Sequence, residues 1–274
     1  MRHNENQLRE LSVVIPAYNE AARIGKTLEL ITEYLAKNVA RGEVIVVDDG
    51  SFDDTVEVAR SFHANPAKVT LKILSNQENR GKGYSVRHGL LSATTEVGLF
   101  TDADLSTPIS EASKLVRPIE NGELNIAIGS RAVDRSLIGV RQTWRREQSG
   151  KIFNLAVRVV TGLPIWDTQC GFKAFGLSVC RPILEGAVID GFAFDVELLT
   201  IAHLANLHIS EIPVRWDHYD GSTVSMTRDS VRMLNEVRRI RREVDRGSYS
   251  EAISAARTAA MVEAKHIPPM RSHR

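Results

Sequence analysis

Thr101-Asp102-Ala103-Asp104 closes an apolar run, Val97-Gly98-Leu99-Phe100, with two carboxylates two residues apart. Side chains of an extended segment repeat every two residues, so Asp102 and Asp104 can point the same way. Carboxylate oxygens are the ligands that Mg²⁺ and Mn²⁺ prefer, and a diphosphate is the usual co-ligand. The pair therefore suits a divalent ion shared between the protein and a nucleotide diphosphate. The same spacing also occurs in plain solvated loops, so its meaning depends on what stands around it.

Comparable polar groups follow four other apolar runs. Pro16, Ala17, Tyr18, Asn19 and Glu20 come after the first, and Asp48, Asp49, Gly50 and Ser51 after the second. Asn79, Arg80, Gly81, Lys82 and Gly83 follow the third, and Gly129, Ser130 and Arg131 the fifth. Acidic groups at such places bond ribose hydroxyls or a base N–H. Lys82 and Arg131 can pair with phosphate oxygens, and Gly81 and Gly83 let backbone approach closely. Each residue taken alone is also an ordinary turn or cap residue. Turns between strand and helix, however, do not need a carboxylate at nearly every strand end.

The elements that must position these groups alternate through the first 130 or so residues. Leu11–Ile15 reads as a strand ended by Pro16, and Ala21–Leu35 carries Ile24, Leu28, Ile31 and Leu35 at helical spacing. Val44–Val47 is apolar throughout, as in a strand covered on both faces. Asp53–Phe62 reads as a helix with Ser51 or Asp53 as N-cap. Val69–Leu74, Tyr84–Leu91, Val97–Phe100, Ile109–Ile119 and Leu124–Ile128 continue the alternation. Five strands interleaved with helices predict an α/β fold with a mostly parallel, doubly wound sheet, whose ligands bind beyond the carboxyl ends of the strands. Further on, Trp144–Val160 reads as a long helix, Gly171–Phe175 as a strand and Asp195–Ala205 as a helix. Ile209–Trp216 reads as a strand, its Pro213 marking a sheet edge. The predicted organisation is an arm at 1–10, a catalytic domain at 11–225 (a nucleotide-binding half at 11–131, an acceptor half at 132–225), a basic amphipathic helix at 226–246 and a loosely ordered tail at 247–274.

The 274 residues carry 35 Lys plus Arg against 34 Asp plus Glu, a balance that gives no reason to expect nucleic-acid binding. No stretch approaches the ~20 apolar residues that span a bilayer. Met1–Glu10 lacks the apolar core of a secretory signal. Cys170 and Cys180, the two cysteines, are read as free thiols in a cytoplasmic protein.

Four stretches together resemble glycosyltransferase family 2, the inverting nucleotide-sugar transferases of the Rossmann-like GT-A fold. They are Pro16-Ala17-Tyr18-Asn19-Glu20, Val46–Ser51 with Asp53 and Thr55, Asn79–Gly83, and Asp102-Ala103-Asp104. Gly129-Ser130-Arg131, Arg141 with Arg145, Asp167–Lys173, Phe194–Leu198 and Gly221-Ser222-Thr223 look like its polyprenyl-phosphate sugar synthase branch, nearest to the dolichyl-phosphate β-glucosyltransferases. The resemblance spans about residues 11 to 242. It implies that Pro16, Tyr18, Glu20, Asp49, Gly81 and Lys82 line the nucleotide pocket. Asp102 would meet the ribose or diphosphate, Asp104 would ligate Mg²⁺ or Mn²⁺, and Arg131 would face the sugar diphosphate or the acceptor phosphate. The implied reaction moves a hexose, glucose from UDP-glucose or else mannose from GDP-mannose, onto a polyprenyl or dolichyl phosphate.

The acceptor decides which side chains are needed. A hydroxyl requires a general base, for which Asp167, Asp195 and Glu197 are candidates. A lipid phosphate is already anionic and requires charge compensation instead, for which Arg141, Arg145, Arg146 and Lys173 are candidates. Glu197 can alternatively fix a cation of the acceptor site. A soluble glycan acceptor, or a nucleotide-sugar-binding module without turnover, remains an alternative. In the helix from Met226, Met233, Val237, Ile240 and Val244 share a face with Met226 and six arginines cover much of the rest. Such a helix either lies on the inner face of an anionic membrane as a peripheral contact or docks its apolar face on the catalytic domain.

Overall fold

The computed structural model describes residues 7–63, 69–140, 154–217 and 226–266. Strands β1 (Leu8–Ala17), β2 (Val39–Asp48), β3 (Val69–Ser75) and β4 (Val97–Thr101) alternate with helices α1 (Ala21–Asn38), α2 (Thr55–Ser61) and α3 (Lys82–Ser92). Helix α4 (Ala112–Glu120) leads to β5 (Ile126–Ser130) and a short β6 (Ile138–Val140). A helical segment at 154–161 (α5) follows, then β7 (Phe172–Gly176), α6 (Leu177–Gly186), α7 (Phe194–Leu204), β8 (Ile209–Pro213) and β9 (Trp216–Asp217). The chain continues into α8 (Met226–Asp245) and α9 (Ser250–His266).

Seven strands form one sheet in the order β3-β2-β1-β4-β7-β5-β8, and β6 pairs with β9 in a second, two-stranded sheet. Only β7 runs antiparallel to its neighbours in the large sheet. The mostly parallel architecture expected from the alternating pattern is thus present. The chain reverses its direction of winding at β1, between β2 and β4, which is where an open parallel sheet makes its ligand crevice.

The period of two explains why the central strands are apolar throughout. Val13, Ile15, Val44 and Val46 pack toward Ile24, Leu28, Ile31 and Leu35 of α1 and Leu115 and Val116 of α4. Val14, Ile45 and Val47 point to the opposite face, against Val86 and Leu90 of α3 and the helices that follow β7. Every one of these side chains is fully buried.

Three features differ from expectation. Strand β1 runs through Pro16, which pairs with Val47. Its pairing with β4 stops at Val14, so the missing proline N–H interrupts no ladder on that side. The N-cap position of α2 is Asp54, one residue past Asp53, whose Oδ1 takes the Thr55 N–H at 3.1 Å. The Ser51 hydroxyl accepts from the Asn19 N–H instead. Pro213 does lie on an edge strand, β8. The third difference is the tail: residues 250–266 form α9, packed on α6 so closely that a Cβ at Gly186 would stand 2.6 Å from Ala252 Cβ. Its face consists mainly of alanines, the best helix formers but weak carriers of hydrophobic period, so the pattern is faint although the helix is firm.

Helix α8 docks. Met233, Val237 and Ile240 are buried, while Arg232, Arg238, Arg239, Arg241, Arg242 and Arg246 are exposed. Among the described residues, no helix is long and apolar enough to cross a membrane.

Candidate active site

The ends of β1 and β2 are laced together by short polar side chains. Asn19, in the left-handed region at φ 55°, donates its N–H to Ser51 Oγ at 2.8 Å and accepts from the Phe52 N–H at 3.1 Å. The Glu20 N–H donates to Thr55 Oγ1 at 2.8 Å and the Ala21 N–H to Asp53 Oδ2 at 3.1 Å. Tyr18 and Phe52 meet edge to face, ring centroids 5.6 Å apart, with both rings open to solvent at the rim. Pro16 lies near the carboxyl end of β1 and is partly buried.

Asp49 is buried, and its carboxylate organises the next loop. It accepts from Asn76 Nδ2 at 2.8 Å, from the Arg80 N–H at 2.9 Å and from the Gly81 N–H at 2.8 Å. Gly81 turns at φ 104°, and a Cβ there would lie 2.4 Å from the Asp190 carbonyl oxygen, so only glycine fits. The turn starts α3 and delivers Lys82, whose Nζ stands 2.5 Å from Asp102 Oδ1. Burial works against charge on Lys82, but Asp102, and more weakly Asp195 and Asp104, outweigh it and hold its pKa above the usual lysine value. Lys82 is thus a firmly charged ammonium.

On the other side of Asp102 the backbone comes unusually near. A Cβ at Gly171 would fall 2.0 Å from Asp102 Oδ2, and the Asp102 N–H donates to the Gly171 carbonyl at 3.2 Å. Asp104 accepts only the Ser106 N–H, at 2.9 Å, among the bonds to its carboxylate in the described region. The Glu20 carboxyl is pushed up chiefly by burial. Arg23 opposes this, whereas the charges of Asp104 and Asp102 add to it. Glu20, Asp102 and Asp104 therefore share one electrostatic neighbourhood with an excess of negative charge.

Hard oxygen donors of this kind fit Mg²⁺ or Mn²⁺. No three acidic, histidine or cysteine side chains among the described residues close into a complete cage. The donors therefore fit an ion that completes its shell with diphosphate oxygens and water, and not a self-sufficient structural site.

The acceptor-side residues are arranged differently. Arg131 grips Asp167 with Nε and Nη2, each at 2.8 Å, and its own N–H adds a third bond to the same carboxylate at 3.0 Å. Glu211 secures this clamp from below, accepting from the N–H groups of Trp166 and Asp167 and from Ser130 Oγ. Burial raises the Asp167 carboxyl, but Arg131 overrides it, so its pKa lies below the ordinary 3.8. Lys173 is completely buried, its Nζ 2.5 Å from the Cys170 carbonyl oxygen and 3.2 Å from Asp195 Oδ2. Glu197 is also fully buried, accepting from Tyr249 Oη at 2.6 Å and from the N–H groups of Val188 and Ile189. Burial pushes the Cys170 thiol up to about 11, which keeps it protonated.

This geometry bears on three expectations. Lys173, a candidate for the acceptor phosphate, is fully buried and pairs with Asp195. Asp167 and Asp195 are locked in ion pairs, and Glu197 sits beneath the site holding backbone, so none of the three stands open as a general base. Asp49 is buried and supports the Lys82 loop. Arg141, Arg145, Arg146 and Gly221-Ser222-Thr223 lie outside the described residues. Glu20, Lys82, Asp102, Asp104 and Arg131 stand near enough to act on one another's charge, and Tyr18 and Gly81 lie in the adjoining loops.

Residues 12–184 match the family model described as glycosyl transferase family 2. The chain belongs to that family. It is therefore a glycosyltransferase, and the whole domain bears this out. Dolichyl-phosphate beta-glucosyltransferase of Drosophila melanogaster is 38% identical over 227 residues, covering 79% of this chain and 69% of that protein. The Dictyostelium discoideum protein of that name is 33% identical over 241 residues, 84% and 73% of the two chains. The human one is 35% identical over 230 residues, 80% and 70%. Among solved structures, mannosyl-3-phosphoglycerate synthase from Rubrobacter xylanophilus superposes with a TM-score of 0.61 at 19% identity, over 87% of this chain and 75% of that one. Glucosyl-3-phosphoglycerate synthase from Mycobacterium tuberculosis, in complex with Mn²⁺ and UDP-glucose, gives 0.56 at 20%, over 89% and 79%. These two establish the shared GT-A-type fold.

Several supporting residues escaped the motif reading. Glu211, Asn76, Arg87, Asp190, Glu236 and Tyr249 act on backbone or on other functional side chains, and none has a distinctive spacing. Only Glu211 left a trace: a glutamate inside the apolar run Ile209–Trp216 asks for a partner.

Proposed function

We propose that this glycosyltransferase moves glucose from UDP-glucose to the phosphate of a dolichyl- or polyprenyl-type lipid, with inversion at the anomeric carbon. A lipid-phosphate oxygen attacks the anomeric carbon as the bond from that carbon to the β-phosphate oxygen of the donor breaks. The electron pair leaves with UDP, and the product is a lipid-linked glucosyl phosphodiester. An anionic acceptor has no proton that must be removed for this step.

The observation that carries the reading is that, among the described residues, none of the three base candidates stands open: Asp167, Asp195 and Glu197 are each buried and engaged. It agrees with the relatives just described, whose names specify glucose transfer to dolichyl phosphate. Lys82 would meet the departing diphosphate, and Arg131, already immobilised by Asp167, would face the phosphates without further ordering. Glu20, Asp102 and Asp104 would hold the divalent ion. When bound, that ion neutralises charge developing on the leaving diphosphate. The exposed arginines of α8 support a peripheral contact with anionic headgroups, each cation near such a surface adding about 1 kcal/mol.

Purified protein, Mg²⁺ or Mn²⁺, a polyprenyl phosphate and a panel of nucleotide sugars test the proposal. Radiolabel entering the organic phase from UDP-glucose is expected. Label from GDP-mannose instead would reassign the donor, and a water-soluble glycoside as sole product would move the enzyme to a hydroxyl acceptor.

A further inference from the structure

A continuous set of bonds leads from the C-terminal helices α8 and α9 to the turn that carries Lys82. Tyr249, at the junction of the two helices, is buried and donates to Glu197 Oε1 at 2.6 Å. The same carboxylate takes the Val188 N–H at 2.9 Å and the Ile189 N–H at 2.8 Å. One residue later, the Asp190 carbonyl oxygen accepts from the N–H groups of Gly83 and Tyr84, at 2.8 and 3.3 Å. Arg87 of α3 closes the connection, donating to the Ile189 carbonyl at 2.7 Å and to Asp190 Oδ1 at 2.6 Å. At the far end of the segment, Glu236 of α8 accepts the Ala193 N–H at 3.1 Å. Its Oε1 lies so near Gly191 that a Cβ there would stand 2.2 Å away.

Segment 187–193 is therefore a strap with two anchors in the C-terminal helices and its middle bonded to the turn that carries Lys82. The contact is close enough to dictate glycines on both sides. Cβ atoms at Gly81 and Gly83 would lie 2.4 Å from the Asp190 carbonyl oxygen and 2.7 Å from that of Ile189. A turn held through backbone contacts of this kind transmits displacement, because neither side has a flexible side chain to absorb it.

We infer that Tyr249 and Glu236 are positioning residues for the donor site, acting through the 187–193 strap on the Gly81-Lys82-Gly83 turn. They touch no substrate. Their task is to keep the turn where Lys82 meets Asp102 and a nucleotide diphosphate. This rests on the donor assignment above, while the coupling itself stands on geometry alone.

Tyr249→Phe removes one hydroxyl and keeps the ring; Glu236→Ala breaks the other anchor should the first variant fold poorly. Two readouts are taken on the full chain: hydrogen exchange of peptides covering 81–85, and UDP affinity by calorimetry alongside the donor KM. Faster exchange at 81–85, with UDP affinity and donor KM weakened about tenfold and kcat and the lipid KM nearly unchanged, is the expected result. A purely structural role would lower the melting temperature and speed exchange near 186–197 and 245–252, leaving 81–85 and UDP affinity as in the wild type; that result overturns the inference. If exchange at 81–85 quickens but wild-type protein binds no UDP, the coupling stands and the donor assignment falls.

Discussion

The two halves of the domain use charge in opposite ways. In the donor half, loop backbone is fixed by Asn19, Ser51 and Thr55 and by the carboxylates of Asp49 and Asp53, which leaves Glu20, Lys82, Asp102 and Asp104 partly open at the rim. In the acceptor half, Asp167, Lys173, Asp195 and Glu197 are buried, and each is engaged with a partner. A charged residue in a motif can thus be a reagent or a strut, and burial separates the two. The rim charges of the donor half should be dispensable for folding and indispensable for transfer; the buried acceptor-half charges should matter first for stability.

The sharpest break of that contrast would come at Asp104. Its carboxylate takes one backbone N–H, so Asp104→Ala should leave the melting temperature within a few degrees while reducing transfer on the order of a thousandfold. Near-normal turnover in a metal-supplemented assay would remove Asp104 from the chemistry. Lys173→Ala is the counterpart. It strands Asp195 without its cation and should destabilise the fold by about 3–5 kcal/mol, read from denaturant unfolding before any kinetic measurement.

Lys173→Met refines the same point through pH. Burial already raises the Asp195 carboxyl, with Lys173 as the largest opposing influence. Removing the ammonium raises that pKa further. A carboxyl whose folded pKa exceeds its unfolded value near 3.8 favours the fold when protonated, and that contribution is lost as pH rises through the folded value. The variant should therefore gain stability on going from pH 7 to pH 5 relative to wild type. A parallel pair of stability profiles would show that Asp195 does not depend on Lys173.

Gly171→Ala tests the seam between the halves. The added methyl meets Asp102 Oδ2 at 2.0 Å, so the carboxylate must turn from Lys82 or the β7 backbone must retreat. A shift of this size at a reacting centre costs about 10²-fold in rate, with a smaller effect on stability. Activity within twofold of wild type would mean that the present setting of Asp102 is unimportant.

The same division explains what could be read before the structure. The sheet was legible because Val44–Val47 and its neighbours carry an unbroken apolar signal, and the rim because Tyr18, Glu20, Lys82, Asp102 and Arg131 each follow such a run. Their types announce chemistry and their places follow from topology. The struts were not legible because type says nothing of burial: Lys173 and Asp167 look like reagents until an anion and a cation, respectively, are found facing them. Helix α9 and Tyr249 were hidden because alanines form a helix without marking its buried face.

The smallest effect sharpens the contrast most. Arg131 with Asp167 and Arg241 with Asp245 are both two-pronged ion pairs, with Nη2 to carboxylate distances of 2.8 and 3.0 Å. Geometry alone would rank them as equals. The Asp167 side chain, however, is 3% exposed, whereas Arg241 and Asp245 are each 55% exposed. In water both partners of the outer pair keep their hydration and their rotamers when the contact breaks, and salt screens what attraction remains. Arg241→Gln should therefore change stability by no more than about 0.5 kcal/mol, with transfer to a detergent-dispersed acceptor unaltered. Asp167→Asn weakens the inner pair by the same one charge, yet it leaves a mostly buried guanidinium short of its counter-ion and should cost several times more. Equal losses in the two variants, measured by urea unfolding at one ionic strength, would show that distance and not burial sets the worth of charge in this domain.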